Sequence, residues 1–243
     1  MNQTLLLRSA DRFVGSSESC SIQLQENVEG KFRVKNVIVP NTMYPVRSTN
    51  NLVYFSQSGT DRIATITPGF YTSATFITAL DVALNNSTPA PAGTFSTTYS
   101  STTGKITITN STTAFILQFG TFATIAANSA RKLMGFNSSN TASALSQVSP
   151  NVINLTPDLG ISININQNNG VKNLASGARL CLYIPIQPGS SAFGSLIALD
   201  SKNLEYTINM VNNTNVIELQ VADSGSQPIS LNGADYEIML EKI

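Results

Sequence analysis

Along most of this chain apolar and polar residues alternate with a period of two. The cleanest examples are "VIELQVAD" and "YEIMLEKI" near the C-terminus. In the first, Val216, Glu218, Gln220 and Ala222 share one face and Ile217, Leu219 and Val221 share the other. That period predicts strands with one buried and one wetter face, which suits antiparallel sheets. The same reading places strands at residues 20–25, 31–40, 52–56, 62–67, 151–155, 161–165, 179–186, 204–210, 216–222 and 236–243. Between them "SSTTGK", "NNTN" and "LNGAD" predict turns, because each supplies a Gly or Asn that tolerates positive φ.

One stretch breaks the pattern. In "TITPGFYTSATFITALDVALN", Phe76, Leu80 and Leu84 recur every four residues, with Ile77 and Ala83 widening the stripe. This spacing predicts an amphipathic helix, with Thr72 or Ser73 as its N-cap. Asn85-Asn86 and the Pro-rich "STPAPAG" end it. A hairpin, "TFSTTYSSTTGKITITN", and a further strand, "AFILQFG", come next. "AANSARKLMGF" then predicts a second short helix, capped by Asn128 or Ser129 and closed at a left-handed Gly135. Residues 137–151 read as a linker. The expected fold is therefore mainly β: a single jelly-roll β-sandwich with a small α+β insertion of helix–hairpin–strand–helix. Residues 1–67 and 149–243 form the discontinuous jelly roll, and residues 68–148 form the insertion.

Composition narrows the function. Apolar residues make up 42% of the 243, enough for a core, while charged residues make up only 12% and the formal net charge is zero. The deficit is filled by Ser, Thr, Asn and Gln. A nucleic-acid footprint needs a clustered basic stripe, and the basic residues here are scattered. Low net charge leaves association between copies electrostatically permitted. No apolar run approaches the roughly 18–20 residues of a membrane span, and the first residues lack the apolar core of a secretory signal.

Chemistry is sparse. The chain has no histidine, which removes Ser-His-Asp and Cys-His nucleophile activation and the commonest metal ligand. Cys20 and Cys181 sit in alternating apolar runs and read as half-buried free thiols, or as a disulfide between neighbouring strands. Phosphate-cradling Gly motifs are missing. Asp235, Glu237 and Glu241 lie on one side of an alternating strand, as a solvated face would place them. "DSKNLE" lacks the Gly and dense alternation of a calcium loop. The expectation is a protein that is not an enzyme, with no catalytic residues, no cofactor and no metal. Arg8, Asp11 and Arg12 stand out in so charge-poor a sequence. They read either as part of an N-terminal arm contacting a neighbouring subunit or as loop charges meeting each other and water.

"RSADRFVGSSESCSIQL", "VKNVIVPNTMYPV", "NNLVYF", "ITPGFYTSATFITALDVAL", "TFSTTYSSTTGKITIT" and "ARKLMGF" together resemble the penton, or minor capsid, proteins of virophages and polinton-like viruses. The resemblance covers most of residues 8–136; the C-terminal half matches as generic strands ending in "LNGADYEIMLEKI". It implies a single jelly roll of which five copies, a homopentamer, close the vertex of an icosahedral capsid among capsomers of a major capsid protein. An insertion would project from or brace that vertex, and assembly would take place inside the host cell. A second reading is a receptor- or glycan-binding β-sandwich, fibre-like or lectin-like. A third, a carboxylate-dependent glycosidase, needs two acids facing across a cleft about 5–9.5 Å wide. It also wants aromatic platforms, in a chain with no tryptophan.

Overall fold

The computed structural model describes residues 3–120, 128–156, 160–165, 171–172, 179–180, 182–186, 192–200, 206–223 and 228–243. Among the described residues the chain is mainly antiparallel β with one α-helix. It divides into two compact units, Met1–Met43 with Pro157–Ile243, and Tyr44–Thr156.

Unit one holds β1 (Thr4–Arg8), β2 (Arg12–Gly15), β3 (Ser19–Pro40), β10 (Gly160–Ile165), β13 (Leu182–Pro185), β14 (Leu196–Asp200), β15 (Thr207–Asp223) and β16 (Glu237–Lys242), joined in one hydrogen-bonded network. A separate small ladder pairs β11 (Val171–Lys172) with β12 (Arg179–Leu180). The main path runs β1-β16-β3-β15-β10-β13, with β14 and β2 also on β3. Its centre is the 22-residue β3. On one edge β3 pairs first with β2 and then with β16; on the other it pairs with β15 and then with β14. One long strand thereby serves successive partners, and inward side chains of β3, β10, β15 and β16 meet in one core that includes Phe32, Ile163, Ile217 and Leu240. This arrangement is that of a jelly-roll sandwich.

Two pairs of expected strands, 20–25 with 31–40 and 204–210 with 216–222, fall on one continuous strand each, β3 and β15, with residues 204–205 outside the described residues. The expected turn at "NNTN" is instead a place where β15 slips in register against β3, between Met210 and Val216. A bulge absorbs extra residues without ending the ladder. Another bulge sits in β3, where β16 advances one residue from Leu240 to Met239 while β3 advances two, from Val34 to Asn36. Inward residues are even-numbered before it (Ile22, Val28, Phe32, Val34) and odd-numbered after it (Val37, Val39), and all of these are buried. The extra residue reverses the faces, so the run "FRVKNVIV" keeps one apolar side although its strict alternation breaks.

Unit two holds two three-stranded sheets, β5-β4-β8 and β6-β7-β9, with α1 (Ser73–Asn85). The strands are β4 (Leu52–Gln57), β5 (Thr60–Thr65), β6 (Phe95–Ser100), β7 (Lys105–Asn110), β8 (Phe115–Leu117) and β9 (Ser146–Val148). The expected boundaries at residues 67/68 and 148/149 are corrected to 43/44 and 156/157. The reason lies in the side chains of β4 and β5. Val53, Phe55, Ala64 and Ile66 enter the core that holds Phe76, Leu80 and Leu84 of α1, not the core of unit one. Phe95 is the hub, edge-on to Phe55 at 5.1 Å and to Phe115 at 5.0 Å.

Three further expectations change. "AFILQFG" supplies β8, which pairs with β4 and not with the hairpin; the hairpin's third strand is β9, inside the stretch read as a linker. Residues 151–155 form no strand, and Ile153 and Leu155 pack onto the unit-two core as irregular chain. Of the expected second helix, "AANSARKLMGF", residues 126–127 lie outside the described residues and 130–135 form turns. These turns still close as a helix would. Phe136 N–H donates to the Arg131 carbonyl at 2.8 Å and Gly135 N–H to that of Lys132 at 3.3 Å, with Gly135 at φ +76°.

Candidate functional site

The three charges singled out in the sequence come together at one edge of unit one. β1 pairs with β16, and Ser9–Asp11 form a single 3-10 turn that carries the chain across to β2 on β3. Arg8 Nε meets Asp11 Oδ2 at 2.9 Å, both half exposed. Arg12 reaches across to Asp235 Oδ1 at 2.7 Å and also donates to the Ser9 carbonyl. Buried Ser9 completes the knot: its hydroxyl donates to Asp235 at 2.7 Å and accepts from the Tyr236 N–H at 3.0 Å. Arg8, Asp11 and Arg12 therefore have their ionic partners within the chain. Ser9 escaped the sequence reading because nothing local marks a serine whose partner lies 226 residues away.

Beside these charges the same edge also exposes apolar side chains. Among the described strands β1 pairs with β16 alone and β2 with β3 alone, so each keeps an open edge. Leu6 stands opposite Met239 in register, and these two are 45% and 39% exposed. Phe13 and Val14 of β2 are 55% and 56% exposed. Open edges with apolar side chains are features that folded proteins normally cover.

Of the three acids singled out in the sequence, two are held in ion pairs. Asp235 is held by Arg12, and Glu241 by Arg33 at 2.8 Å and Lys35 at 3.2 Å. Glu237 lies opposite Arg8 in register. Of "DSKNLE", residues 201–205 lie outside the described residues. Cys20 is a buried free thiol, and burial pushes its pKa up, as it does that of the neighbouring Tyr236 phenol. Both are therefore neutral near pH 7, and neither is an activated nucleophile. Cys181 lies outside the described residues. Among the described residues no cluster of His, Cys, Asp and Glu could hold a metal ion, and no helix is long and apolar enough to cross a membrane.

The Glu18 carboxyl lies well below its ordinary pKa. Burial acts most strongly on it and pushes its pKa up. Hydrogen bonds from Ser16, Ser230 and the Glu18 and Leu231 amides outweigh that burial together and hold the carboxyl at about 2. Ser230 Oγ donates to it at 2.9 Å and Leu231 N–H at 2.8 Å, so Glu18 ties the β2–β3 turn to the segment before β16.

Beside that turn a concave cleft of about 350 Å³ opens on the outer face of β2, β3, β15 and β10. Ser19, Gln220 and Asn164 stand in one register row across three strands, and Val14, Ser21 and Glu218 stand in the next. Gly15, at φ +98°, forms the rim; a Cβ there would lie 2.2 Å from the Ser19 carbonyl oxygen. The sequence reading placed Glu218 and Gln220 on one face of a strand. It had no means to bring Ser19, Ser21 and Asn164 beside them, because that needs the pairing of three distant strands.

No protein-family model matches the chain, and no curated protein matches it. Among solved structures it is similar to the crystal structure of the selenomethionine-labelled mavirus penton protein. The two share 12% sequence identity over 98% of each chain, with a TM-score of 0.46.

Proposed function

We propose that the chain is a structural capsid protein that forms the five-fold vertex of an icosahedral virus as a homopentamer. In this reading it resides in the virion among capsomers of a major capsid protein and is assembled inside the host cell. Unit two is the insertion, which projects from or braces the vertex. The observation that carries the proposal is the open edge of unit one, where β1 and β2 lack outer partners among the described strands and expose Leu6, Phe13, Val14 and Met239. Such an edge stays soluble when a neighbouring subunit covers it, and cyclic closure gives every copy the same cover. Arg8, Asp11 and Arg12 flank this surface and are the subunit-contact residues of the reading. The motifs that resemble virophage pentons supply the number five.

Light scattering with negative-stain averages on the full chain tests it. The expected result is a closed ring of five. Leu6→Asp places a charge on the exposed side of β1, where no core contact is lost, and is expected to yield monomers whose melting temperature stays within about 2 °C of the parent protomer. A ring that Leu6→Asp leaves intact, or a chain that stays monomeric even with capsomers present, overturns the proposal.

A further inference from the structure

Arg62 carries a charge that the chain itself leaves unanswered. It stands in β5 on the core side, in one register row with Phe55 and Leu117, both fully buried. Only 9% of its own surface is exposed. Its Nε donates to Gln57 Oε1 at 3.1 Å, while Nη1 is enclosed and has no hydrogen-bond acceptor. Among the described residues no carboxylate lies within ion-pair distance of it. Asp61, the preceding residue, takes the opposite face of the strand and accepts from Gln118 Nε2 at 2.8 Å. A guanidinium keeps its charge when buried, and a charge removed from water without a counter-charge is costly. We infer that Arg62 is a binding site for a carboxylate supplied from outside the chain.

The site is preorganised. Gln57, itself buried, is held at both ends of its carboxamide by Ala92, which donates to Oε1 at 3.0 Å and accepts from Nε2 at 3.1 Å. Ile63, the next residue of β5, exchanges two main-chain hydrogen bonds with Thr88, each 3.0 Å long. The guanidinium is therefore fixed through its Nε and through its strand, and little ordering is left for a ligand to impose. Charge points the same way. Residues 44–156 hold five bases, Arg47, Arg62, Lys105, Arg131 and Lys132, against two acids, Asp61 and Asp81. Five against two leaves a surplus of three positive charges in a chain whose formal total is zero, a field that favours an anionic partner. A planar carboxylate matches the fork of a guanidinium. A phosphate brings further charge and oxygens that one recessed guanidinium leaves unpaired. The site lies within unit two of a single protomer. It stands whether or not five copies close a ring, and the mass measurement above and the calorimetry below fail separately.

Calorimetry of the full chain near neutral pH tests it, with sodium acetate as the probe and the ionic strength held constant with sodium fluoride. Acetate at about 100 mM should raise a melting transition of the parent by about 3–6 °C, the shift that a Kd of about 5 mM gives. Arg62→Met keeps the stem and removes the charge, and there the rise should fall below about 1 °C. Should Arg62→Met not fold, Arg62→Lys keeps the charge without the fork and should show roughly half the rise or less. The blocked tripeptide Gly-Glu-Gly at equal concentration separates the sources of the carboxylate. A rise with both probes supports an acidic side chain of a partner protein; a rise with acetate alone supports a small free acid. No rise above fluoride overturns the inference. So does a rise that Arg62→Met or Arg62→Lys leaves undiminished, or a larger rise with inorganic phosphate than with acetate.

Discussion

At the scale of single residues, the excess of uncharged amides over charges has a use inside unit two. Asn85 ends α1 by donating to the Asp81 carbonyl and then imitates a strand, accepting from Phe95 N–H at 2.8 Å and donating to its carbonyl at 2.9 Å. Gln57 does the same for Ala92, accepting from its N–H at 3.0 Å and donating to its carbonyl at 3.1 Å. Asn51, Asn110 and Gln147 likewise donate to main-chain carbonyls of other segments. A carboxamide satisfies a donor and an acceptor together without the desolvation cost of a charge, so irregular chain can lie against a core. In unit one Glu18 shows the charged version and makes a pH prediction. Its folded pKa, about 2, lies below the ordinary value of 4.5, so its contribution to stability is complete above 4.5 and lost as pH falls through 2. The melting temperature of the parent should drop more steeply between pH 5 and 2 than that of Glu18→Gln. Parallel pH profiles would show that Glu18 carries no such linkage.

Individual elements show where local signals suffice. The helix was legible because its face, its cap and its stop are all local. Thr72 caps Ser73–Asn85 through a reciprocal box with Thr75, and the buried residues are Phe76, Leu80, Ala83 and Leu84. The two long strands were not legible as single elements. Whether "ENVEGK" or "VNNTN" turns the chain or merely bulges depends on whether β3 and β15 remain paired across it. Gly15 is the element-scale position whose demand is strictest. It needs a positive φ and clearance from Ser19, so Gly15→Ala should open the β2–β3 turn and destabilise unit one by about 2–3 kcal/mol in urea unfolding. A loss under about 0.5 kcal/mol would mean that the turn relaxes without cost.

For the whole molecule, the division into two units with separate cores carries the next expectation. Residues 44–156 are one continuous segment, and the described residues of its apolar core, from Val46 to Phe136, all lie within it. Expressed alone, this segment should give a single cooperative thermal transition, since about 110 residues with one core is an ordinary domain size. A melt without cooperativity would show that unit two needs unit one to fold. The candidate sites are whole-molecule properties as well. Arg8, Asp11 and Arg12 were conspicuous as scarce charges, but Asp235, the partner of Arg12, and the exposed Leu6 and Met239 come together only because β16 returns beside β1.

By itself the sequence determined the β class, the one helix with its cap, the turn glycines and the lack of histidine chemistry. Each of these rests on periodicity within one segment or on composition. The tertiary structure alone decided which core β4 and β5 join, that β3 runs unbroken for 22 residues, and that Ser19, Asn164 and Gln220 form one row. Those outcomes turn on pairing between segments tens to two hundred residues apart, where alternation shows only which side is apolar and says nothing of which strand lies beside it.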